Sequence, residues 1–226
     1  AARRIAFGKF INAGQTCSAP DYVLVPSSVK DVFIDELKTI INQMKLDKDR
    51  FGKIINERHF DRLKRLIDPN KIVYGNQSDK KHLYLSPTLL DNITWDDAIM
   101  GEEIFGPILP ILTFESIDEC VESLRRKDKP LALYLFTKNK EVEKKVFSKL
   151  SFGSGAINDT IMQINNRNLP FGAVGSSGIG SYHGKTSFDT FSNLKSTIKK
   201  SSLFDLDILY PPYSKSTLNL IRKLMK

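Results

Sequence analysis

The chain has 226 residues, a formal net charge of +8, and 41% hydrophobic and 27% charged residues, a composition typical of a folded globular protein. This length accommodates one large domain or two small ones. No apolar run approaches the roughly 20 residues that span a bilayer. The two cysteines are too few for a disulfide scaffold and indicate a reducing compartment, so we expect cytoplasmic localisation.

The basic residues are scattered among acidic ones rather than clustered. No basic stretch carries interleaved aromatic residues of the kind that stacks nucleic-acid bases. A solvated surface with a bias towards anionic ligands explains the charge, and we expect no nucleic-acid partner.

The first third of the chain predicts helices joined by a short strand. Residues 1–10 read as the inside of a helix, which makes us expect that the chain is a domain of a longer protein. A strand at 22–25 leads into a helix over 29–44, where apolar residues recur at intervals of three and four. Ser27 and Ser28 stand where the N-cap of that helix is expected. A further helix is expected near 57–67.

Strands and helices alternate along the next part of the chain. The strands are predicted at KIVYG, LYLSPTLL, PILPILTF, LALYLFT and GSGAIND. Pro110, inside PILPILTF, predicts an edge strand or a strand start. Ser116 and Glu119 form a capping box, and Asn139 is placed to cap the following helix. This alternation predicts βαβ units and therefore an α/β fold with a mostly parallel sheet.

The stretch GQTCSAP presents Cys17 among small polar residues. Gly14 permits a tight turn, and Pro20 prevents a helix from continuing. Thr16 and Ser18 keep the surroundings of the thiol small and polar, and the backbone N–H of Cys17 can face a developing oxyanion. These features suit a nucleophilic thiolate, and a plain buried cysteine is the alternative.

The remaining cysteine and the histidines give weaker signals. Cys120 lies beside the apolar face of its helix, so we expect a structural role. His59, His82 and His183 have no metal-ligand spacing with each other or with either cysteine, and we expect no metal site. His183, in the glycine-rich stretch LPFGAVGSSGIGSYHGK, is the only sequence candidate for a Cys–His pair with Cys17.

Two neighbouring carboxylates, Glu102 and Glu103, precede Phe105 in the stretch MGEEIFGPILP. On an extended segment their side chains point in opposite directions, so one can enter a site while the other meets solvent. A carboxylate suits a ribose diol, and a phenylalanine can lie against a flat ring. A surface acidic pair beside a core phenylalanine is the alternative interpretation.

Taken together, these stretches resemble the aldehyde dehydrogenase superfamily. FINAGQTCSAPD resembles its cysteine active-site motif, EEIFGPILPI its cofactor-contacting motif, and LPFGAVGSSGIGSYHGK its C-terminal loop. APDYVLV, SYHGKTSFDTFS and YPP resemble the class 3 and fatty aldehyde dehydrogenase branch. The resemblance covers nearly the whole chain and implies a three-layer α/β catalytic domain over residues 1–190. It also implies an oligomerisation strand, STIKKS, and a tail within residues 191–226.

The resemblance implies NAD(P)-dependent oxidation of an aldehyde to a carboxylic acid. Cys17 would attack the aldehyde, and the reaction would pass through a thiohemiacetal and a thioester. Glu103 would hold the nicotinamide ribose of NAD or NADP, and Phe105 would pack near it. The expected lining of the aldehyde pocket is Thr16, Ser18, Ile161 and Ile164, with a core role as the alternative for the two isoleucines.

The sequence departs from the family pattern at its beginning. In this family the segment before the cysteine supplies a dinucleotide-binding domain, an oxyanion-hole asparagine and a general-base glutamate in an ELGGK-like motif. None of these occurs in the 226 residues. We therefore expect a catalytic domain without its N-terminal dinucleotide-binding domain, active in the complete protein and inactive alone.

Two other functions stay open at this point. The first is a relative that transfers the thioester to coenzyme A, and the second is an assembly module in which STIKKS pairs with another subunit. A homodimer is the expected assembly. The tail STLNLIRKLMK places Leu218, Ile221 and Leu224 on one helical face, and its short length favours a solvated or subunit-packed helix over contact with a membrane surface.

Overall fold

The structure, a computed structural model, describes residues 1–206 and 210–225. It contains two compact units, Ala1–Phe191 and Ser192–Lys226. The α-helices are α1 Ala2–Phe10, α2 Lys30–Met44, α3 Glu57–Leu66, α4 Ile117–Arg125, α5 Lys140–Lys149, α6 Met162–Asn165, α7 Gly184–Thr190 and α8 Lys215–Leu224. The strands are β1 Val23–Pro26, β2 Ile72–Tyr74, β3 Ser78–Asp79, β4 Tyr84–Leu85, β5 Thr88–Leu90, β6 Ile108–Phe114, β7 Ala132–Leu135, β8 Ser154–Ile157, β9 Phe171–Gly172 and β10 Ser181–Tyr182.

Parallel pairing dominates the two larger groups of strands in the first unit. The main sheet has the order β1-β6-β5-β2, in which β6 runs parallel to both of its neighbours and β2 runs antiparallel to β5. Strands β7 and β8 form a separate parallel pair. The predicted mixed α/β fold with parallel pairing and flanking helices is confirmed, although the pairing is divided between two sheets.

The hydrophobic core of the first unit is centred on β6. Ile108, Leu109 and Ile111 are completely buried, together with Leu37 of α2 and Leu63 of α3. A strand buried on both faces reads as a continuous apolar run, which is the pattern of this segment. Apolar burial is the main favourable term in folding, so this strand and its two helices hold the unit together.

Two expectations, the edge position of Pro110 and the capping role of Ser27, were wrong because contacts with residues distant in sequence decide both positions. Pro110 lies in the middle of β6, between β1 and β5, rather than at an edge. Proline removes one ladder donor, and the residues on either side of it maintain the register with both neighbouring strands. Ser27 does not cap α2, since its hydroxyl donates to Glu115 Oε1 at 2.6 Å.

The second unit, described by itself, has one α-helix among its described residues. Helix α8 is capped by Ser214, whose hydroxyl accepts from the backbone N–H of Thr217 at 3.1 Å. Residues 192–206 form no helix or strand, so STIKKS is not a strand within this chain, and its role in oligomerisation stays a prediction. No helix in the described ranges is long and apolar enough to cross a membrane.

Leu37 and Val32 belong to the same predicted apolar stripe, but the structure separates them. Leu37 is completely buried, whereas Val32 is 68% exposed. Leu37→Ala should therefore lower the free energy of unfolding by about 2–5 kcal/mol, because it removes core contacts and leaves a cavity. Val32→Ala, the control on the same helix, should change it by less than about 0.5 kcal/mol. Urea denaturation measures both, and equal losses would contradict this packing.

Candidate active site

Cys17 lies on an exposed turn that follows helix α1. The chain leaves the helix through Asn12, Ala13 and Gly14, which have φ values of 51°, 53° and 74°. The backbone N–H of Ala19 then donates to the carbonyl of Thr16 at 2.9 Å, which places Cys17 and Ser18 at the centre of a tight turn. The sequence alternative of a plain buried cysteine does not hold for Cys17.

The predicted pocket residues on this turn differ in exposure. The side chain of Thr16 is half-buried, and that of Ser18 is only 1% exposed. The Ser18 hydroxyl is buried without a hydrogen-bond partner in the described part of the chain. In this chain Ser18 therefore faces the interior, while Cys17 faces solvent.

Gln15 attaches the cysteine turn to a distant loop through both ends of its amide. Its Nε2 donates to the carbonyl of Lys53 at 3.0 Å, and its Oε1 accepts from the backbone N–H of Ile55 at 3.0 Å. The Gln15 amide thus binds one backbone acceptor and one backbone donor of the same loop. These two hydrogen bonds fix the cysteine turn against the loop that precedes α3.

The cysteine segment also meets the Glu103–Gly106 segment at two points. A Cβ added at Gly14 would lie 2.2 Å from the carbonyl oxygen of Gly106, so the two backbones are in direct contact. The carboxylate of Asp21 accepts from the backbone N–H of Ile104 at 3.1 Å. The structure therefore brings the two motifs that carry the predicted nucleophile and cofactor contacts side by side.

Arg62 of α3 binds the segment 102–104, which carries the two neighbouring glutamates. Its guanidinium pairs with Glu102 Oε2 at 3.0 Å, donates to the Glu103 carbonyl at 3.1 Å and donates to the Ile104 carbonyl. The planar fork of arginine suits several acceptors at once. Three consecutive residues are thus fixed by one side chain.

His59 supports Phe105, whose φ is 51°. The Nε2–H group of His59 donates to the Phe105 carbonyl at 2.7 Å, and the Nδ1 atom accepts from Arg62 Nε at 3.3 Å. The two bonds assign the proton to Nε2. The rings of His59 and Phe105 lie 6.4 Å apart, so the histidine holds both the backbone and the ring of Phe105.

A cleft of about 430 Å³ opens beside Phe105. It is lined by Ile55, Asn56, Arg58, His59, Arg62, Arg65 and Phe105. Partial desolvation raises the pKa of the nearby Glu103, and the carboxylate of Asp21 raises it further, while Arg62 and Lys9 act in the opposite direction. The three arginines of the cleft suit an anionic ligand, and Ile55 and Phe105 give the cleft an apolar surface.

Lys9 is completely buried, and its ammonium has no hydrogen-bond partner among the described residues. Burial lowers the pKa of Lys9 to about 8, and the charges of Asp21 and Glu103 partly offset that effect. A lowered lysine pKa means that the folded state disfavours the charged form. Burial of the charged Lys9 ammonium therefore lowers the stability of the folded chain.

Ile161 and Ile164 lie on the segment that contains α6. Ile161 is buried and has a φ of 54°, whereas Ile164 is half-buried. The hydroxyl of Tyr134 donates to the Ser18 carbonyl at 2.8 Å, and the backbone of Ile161 also lies close to this hydroxyl. The structure therefore brings the Ile161 segment near the cysteine turn.

The other sequence candidates lie apart from Cys17 or are buried. His183 contacts the Leu169 carbonyl through Nδ1 at 3.3 Å and packs against Tyr182, and no contact with Cys17 is described. Cys120 is buried, and burial raises the pKa of its thiol to about 11, with Glu119 adding to the shift. The described residues contain no group of three or more histidine, cysteine or acidic side chains that could hold a metal ion.

Sequence reasoning missed His59, Arg62, Asp21 and Tyr134. His59 was considered only as a metal ligand, although its contact with Phe105 spans 46 residues. Arg62 and Asp21 reach their partners across 41 and 83 residues. Only the position of Asp21 at the end of the cysteine motif offered a sequence signal for any of them.

Replacing Lys9 with methionine should stabilise the chain at neutral pH. The folded pKa of about 8 lies below the usual 10.5, so burial of the cation costs stability below pH 8, and the cost disappears as the pH rises towards 10.5. Lys9→Met should raise the free energy of unfolding by about 3 kcal/mol at pH 7 and by about 1 kcal/mol at pH 10.

Urea unfolding at the two pH values measures the difference between Lys9→Met and the wild type. Lys53→Met, at an exposed lysine, is the matched control and should change the free energy of unfolding by less than about 0.5 kcal/mol. A destabilised Lys9→Met variant at pH 7 would show that the buried ammonium has favourable interactions that outweigh its burial.

Comparison with known proteins identifies the family of the chain. The sequence profile of the aldehyde dehydrogenase family matches residues 1–197. The chain is 50% identical over 219 residues to the 4,4'-diaponeurosporen-aldehyde dehydrogenase of Staphylococcus aureus, which covers 94% of the chain and 48% of that relative. It is 44% identical over 208 residues to the dimeric NADP-preferring aldehyde dehydrogenase of Rattus norvegicus, covering 90% of the chain and 46% of that relative.

A solved structure of Staphylococcus aureus AldH in a substrate-bound state superimposes with a TM-score of 0.94 and 48% identity, covering 100% of the chain and 50% of that protein. The chain spans about half the length of these relatives. The match to the family profile extends through both the cysteine turn and the Glu103–Phe105 segment. The chain belongs to the aldehyde dehydrogenase family.

Proposed function

We propose that the chain forms the catalytic part of an NAD(P)-dependent aldehyde dehydrogenase, with Cys17 as the nucleophile. The observation that carries this proposal is the exposed Cys17 turn in direct contact with the Glu103–Gly106 segment. A reactive thiol must be reachable by substrate, and a cofactor must lie close enough to react with the same carbon atom. The exposure of Cys17 supports the first requirement, and the contact between the two segments supports the second.

In the proposed reaction the thiolate of Cys17 forms a C–S bond to the aldehyde carbon, and the carbonyl oxygen becomes an oxyanion. The backbone N–H of Cys17 stabilises this oxyanion. When the thiohemiacetal collapses, the C=O bond re-forms and hydride leaves, which gives a thioester. Water then adds to the thioester carbon, the C–S bond breaks, and the products are a carboxylic acid and the free thiol.

The residues around Phe105 fit a nicotinamide cofactor. The carboxylate of Glu103 can accept from ribose hydroxyls, and Phe105 offers a ring that His59 fixes in place. Partial burial raises the pKa of Glu103, a kind of perturbation that is frequent at ligand sites. When bound, NAD+ or NADP+ supplies the acceptor for the hydride. Arg62 holds the segment in the arrangement that this contact needs.

The aldehyde pocket is proposed to include Thr16, Ser18, Ile161 and Ile164. Thr16 and Ser18 flank the nucleophile, and the Ile161 backbone approaches the same Tyr134 hydroxyl that bonds the Ser18 carbonyl. The two isoleucines supply the apolar surface that an alkyl aldehyde requires. Their side chains are buried or half-buried, which keeps that surface out of water.

The assembly proposed for the complete protein is a cytoplasmic homodimer. Leu194, Ile198 and Leu203 of the second unit are 95%, 94% and 96% exposed, and an apolar segment of this kind is suited to cover another subunit. The rat relative is itself named dimeric. Residues 191–226 are accordingly proposed as the oligomerisation segment, and residues 1–190 as the catalytic domain.

Transfer of the thioester to coenzyme A is the alternative fate of the same intermediate. A coenzyme A-dependence assay on the complete protein separates it from hydrolysis by water. A purely structural assembly module is the second alternative, and it requires that Cys17 be unreactive.

Iodoacetamide at pH 8 should label Cys17 and leave Cys120 untouched in the folded chain. The raised pKa leaves only about one Cys120 thiol in a thousand ionised at this pH, and its side chain is buried. An excess of hexanal should slow the labelling of Cys17, because thiohemiacetal formation removes the thiolate. Peptide mass spectrometry distinguishes the two sites, and labelling in urea supplies the reference rate for each. Labelling of Cys17 that hexanal leaves unchanged would contradict the proposed substrate chemistry.

The 226-residue chain on its own should give no aldehyde-dependent reduction of NAD+ or NADP+. The expected oxyanion-hole asparagine is not in its sequence, and loss of one such donor costs about 100- to 1,000-fold in rate. The absent general base adds to that loss. The absorbance of the reduced cofactor measures turnover, with Cys17→Ala as the test variant and Cys120→Ala as the control. Turnover that Cys17→Ala abolishes would contradict the predicted inactivity.

A further inference from the structure

A hydrogen-bond network centred on Tyr134 lies behind the cysteine turn. The Tyr134 hydroxyl donates to the backbone carbonyl of Ser18 at 2.8 Å. The same oxygen accepts from Gln163 Nε2 at 3.0 Å, and that amide also lies 3.4 Å from Ser154 Oγ. One phenol therefore joins the cysteine turn to a segment more than 140 residues further along the chain.

The bond to Ser18 acts on the turn that carries the thiol. Cys17 and Ser18 are the two central residues of this turn, which closes between Thr16 and Ala19. The Ser18 carbonyl belongs to the peptide bond between Ser18 and Ala19, which directly follows the two peptide bonds of Cys17 itself. A fixed partner for this carbonyl limits rotation of the turn, and so limits the directions in which Cys17 Sγ can point.

The bond to Gln163 acts on the proposed aldehyde pocket. Gln163 lies in α6, between Ile161 and Ile164. Its Oε1 atom is buried without a partner among the described residues, so the hydrogen bonds that hold the side chain are those made by Nε2. Movement of Gln163 would move both isoleucines, because Ile161 is the N-cap of α6 and Ile164 lies in the same short helix.

Burial keeps the Tyr134 hydroxyl protonated. It raises the pKa of Tyr134, with a smaller contribution from Cys17, whereas the hydrogen bond that the hydroxyl oxygen accepts from Gln163 opposes the shift. The phenol is thus a donor throughout the neutral pH range.

We propose that Tyr134 is a positioning residue that couples the Ile161–Ile164 segment to the Cys17 turn, so that an alkyl chain held by the isoleucines presents its reactive carbon to Cys17 Sγ. This inference rests on the proposed function, because it takes Cys17 as the nucleophile and the isoleucines as the pocket. It assigns to Tyr134 and Gln163 a role in selecting substrates with an alkyl chain.

The test compares two alkylating reagents on the 226-residue chain. Iodoacetamide and N-hexyl iodoacetamide react with the same thiolate, which displaces iodide from each and forms the same kind of C–S bond. The ratio of their second-order rate constants at Cys17 cancels any change in thiol ionisation and any change in exposure that affects both reagents equally. A merely structural effect on the turn therefore leaves the ratio unchanged, whereas loss of coupling lowers it.

In the wild-type chain the hexyl reagent should react faster than iodoacetamide. Tyr134→Phe removes only the hydroxyl and should lower the ratio by about two- to tenfold, the range expected for one hydrogen bond. Gln163→Leu should lower it to a similar extent. The double variant should show no further loss, because both changes interrupt the same network. Circular dichroism establishes that each variant is folded, and Gln163→Leu tests the network independently of Tyr134.

Tyr84→Phe is the matched control. Its hydroxyl also donates from a part-buried tyrosine to a backbone carbonyl, that of Leu46 at 3.1 Å, but away from the cysteine turn. The ratio should be unchanged in this variant. A wild-type ratio in folded Tyr134→Phe or Gln163→Leu, or an equal loss in Tyr84→Phe, overturns the coupling. If the wild-type chain shows no preference for the hexyl reagent, the proposed aldehyde pocket fails as well.

Discussion

The close approach of two backbones, at Gly14 and Gly106, is the constraint on which the rest of the site depends. A side chain at Gly14 would collide with the Gly106 carbonyl, and its φ of 74° is one that glycine adopts without strain. Cys17 lies three residues after Gly14, and Phe105 lies directly before Gly106. The contact between the two glycines therefore constrains the distance between the cysteine turn and Phe105. The Asp21–Ile104 hydrogen bond fixes their relative orientation.

The elements that sequence predicted well are those whose determinants are local. Ser116 accepts from the backbone N–H of Glu119 at 3.2 Å, and Asn139 accepts from the first turn of α5, as their positions before apolar periodic segments indicated. The elements that it predicted poorly involve distant partners. Ser27 gives its hydrogen bond to a residue 88 positions away, and Pro110 occupies a central strand because strands on both sides pair with β6.

The same distinction separates the site residues that were found from those that were missed. Cys17, Glu103 and Phe105 stand in short motifs whose residue types suggest their chemistry. Arg62 and Tyr134 act only through contacts that span 41 and 116 residues. Arg62 stands in no motif, and Tyr134 stands in the predicted strand LALYLFT, where its residue type indicates no such contact. Long-range hydrogen bonds of this kind are decided by the packing of the sheet and helices, which local periodicity does not specify. Sequence therefore predicts which groups could react, and the fold determines what holds them.

Ten non-glycine residues among those that the structure describes have a positive φ, and four of them lie in the segments for which a function is proposed. Asn12, Ala13, Phe105 and Ile161 have φ values between 51° and 54°, a region that costs a residue with a side chain about 1–3 kcal/mol. Such conformations persist only when the surroundings leave no alternative, and each of these segments is held by named contacts: Gln15 beside the cysteine turn, His59 at Phe105 and Tyr134 at Ile161. The buried Lys9 adds a further cost at the same place. Positive φ also occurs at Lys45 and Leu83, which end helical segments elsewhere in the chain, so strain by itself does not distinguish the site. What distinguishes it is that long-range contacts hold the cysteine turn, Phe105 and Ile161.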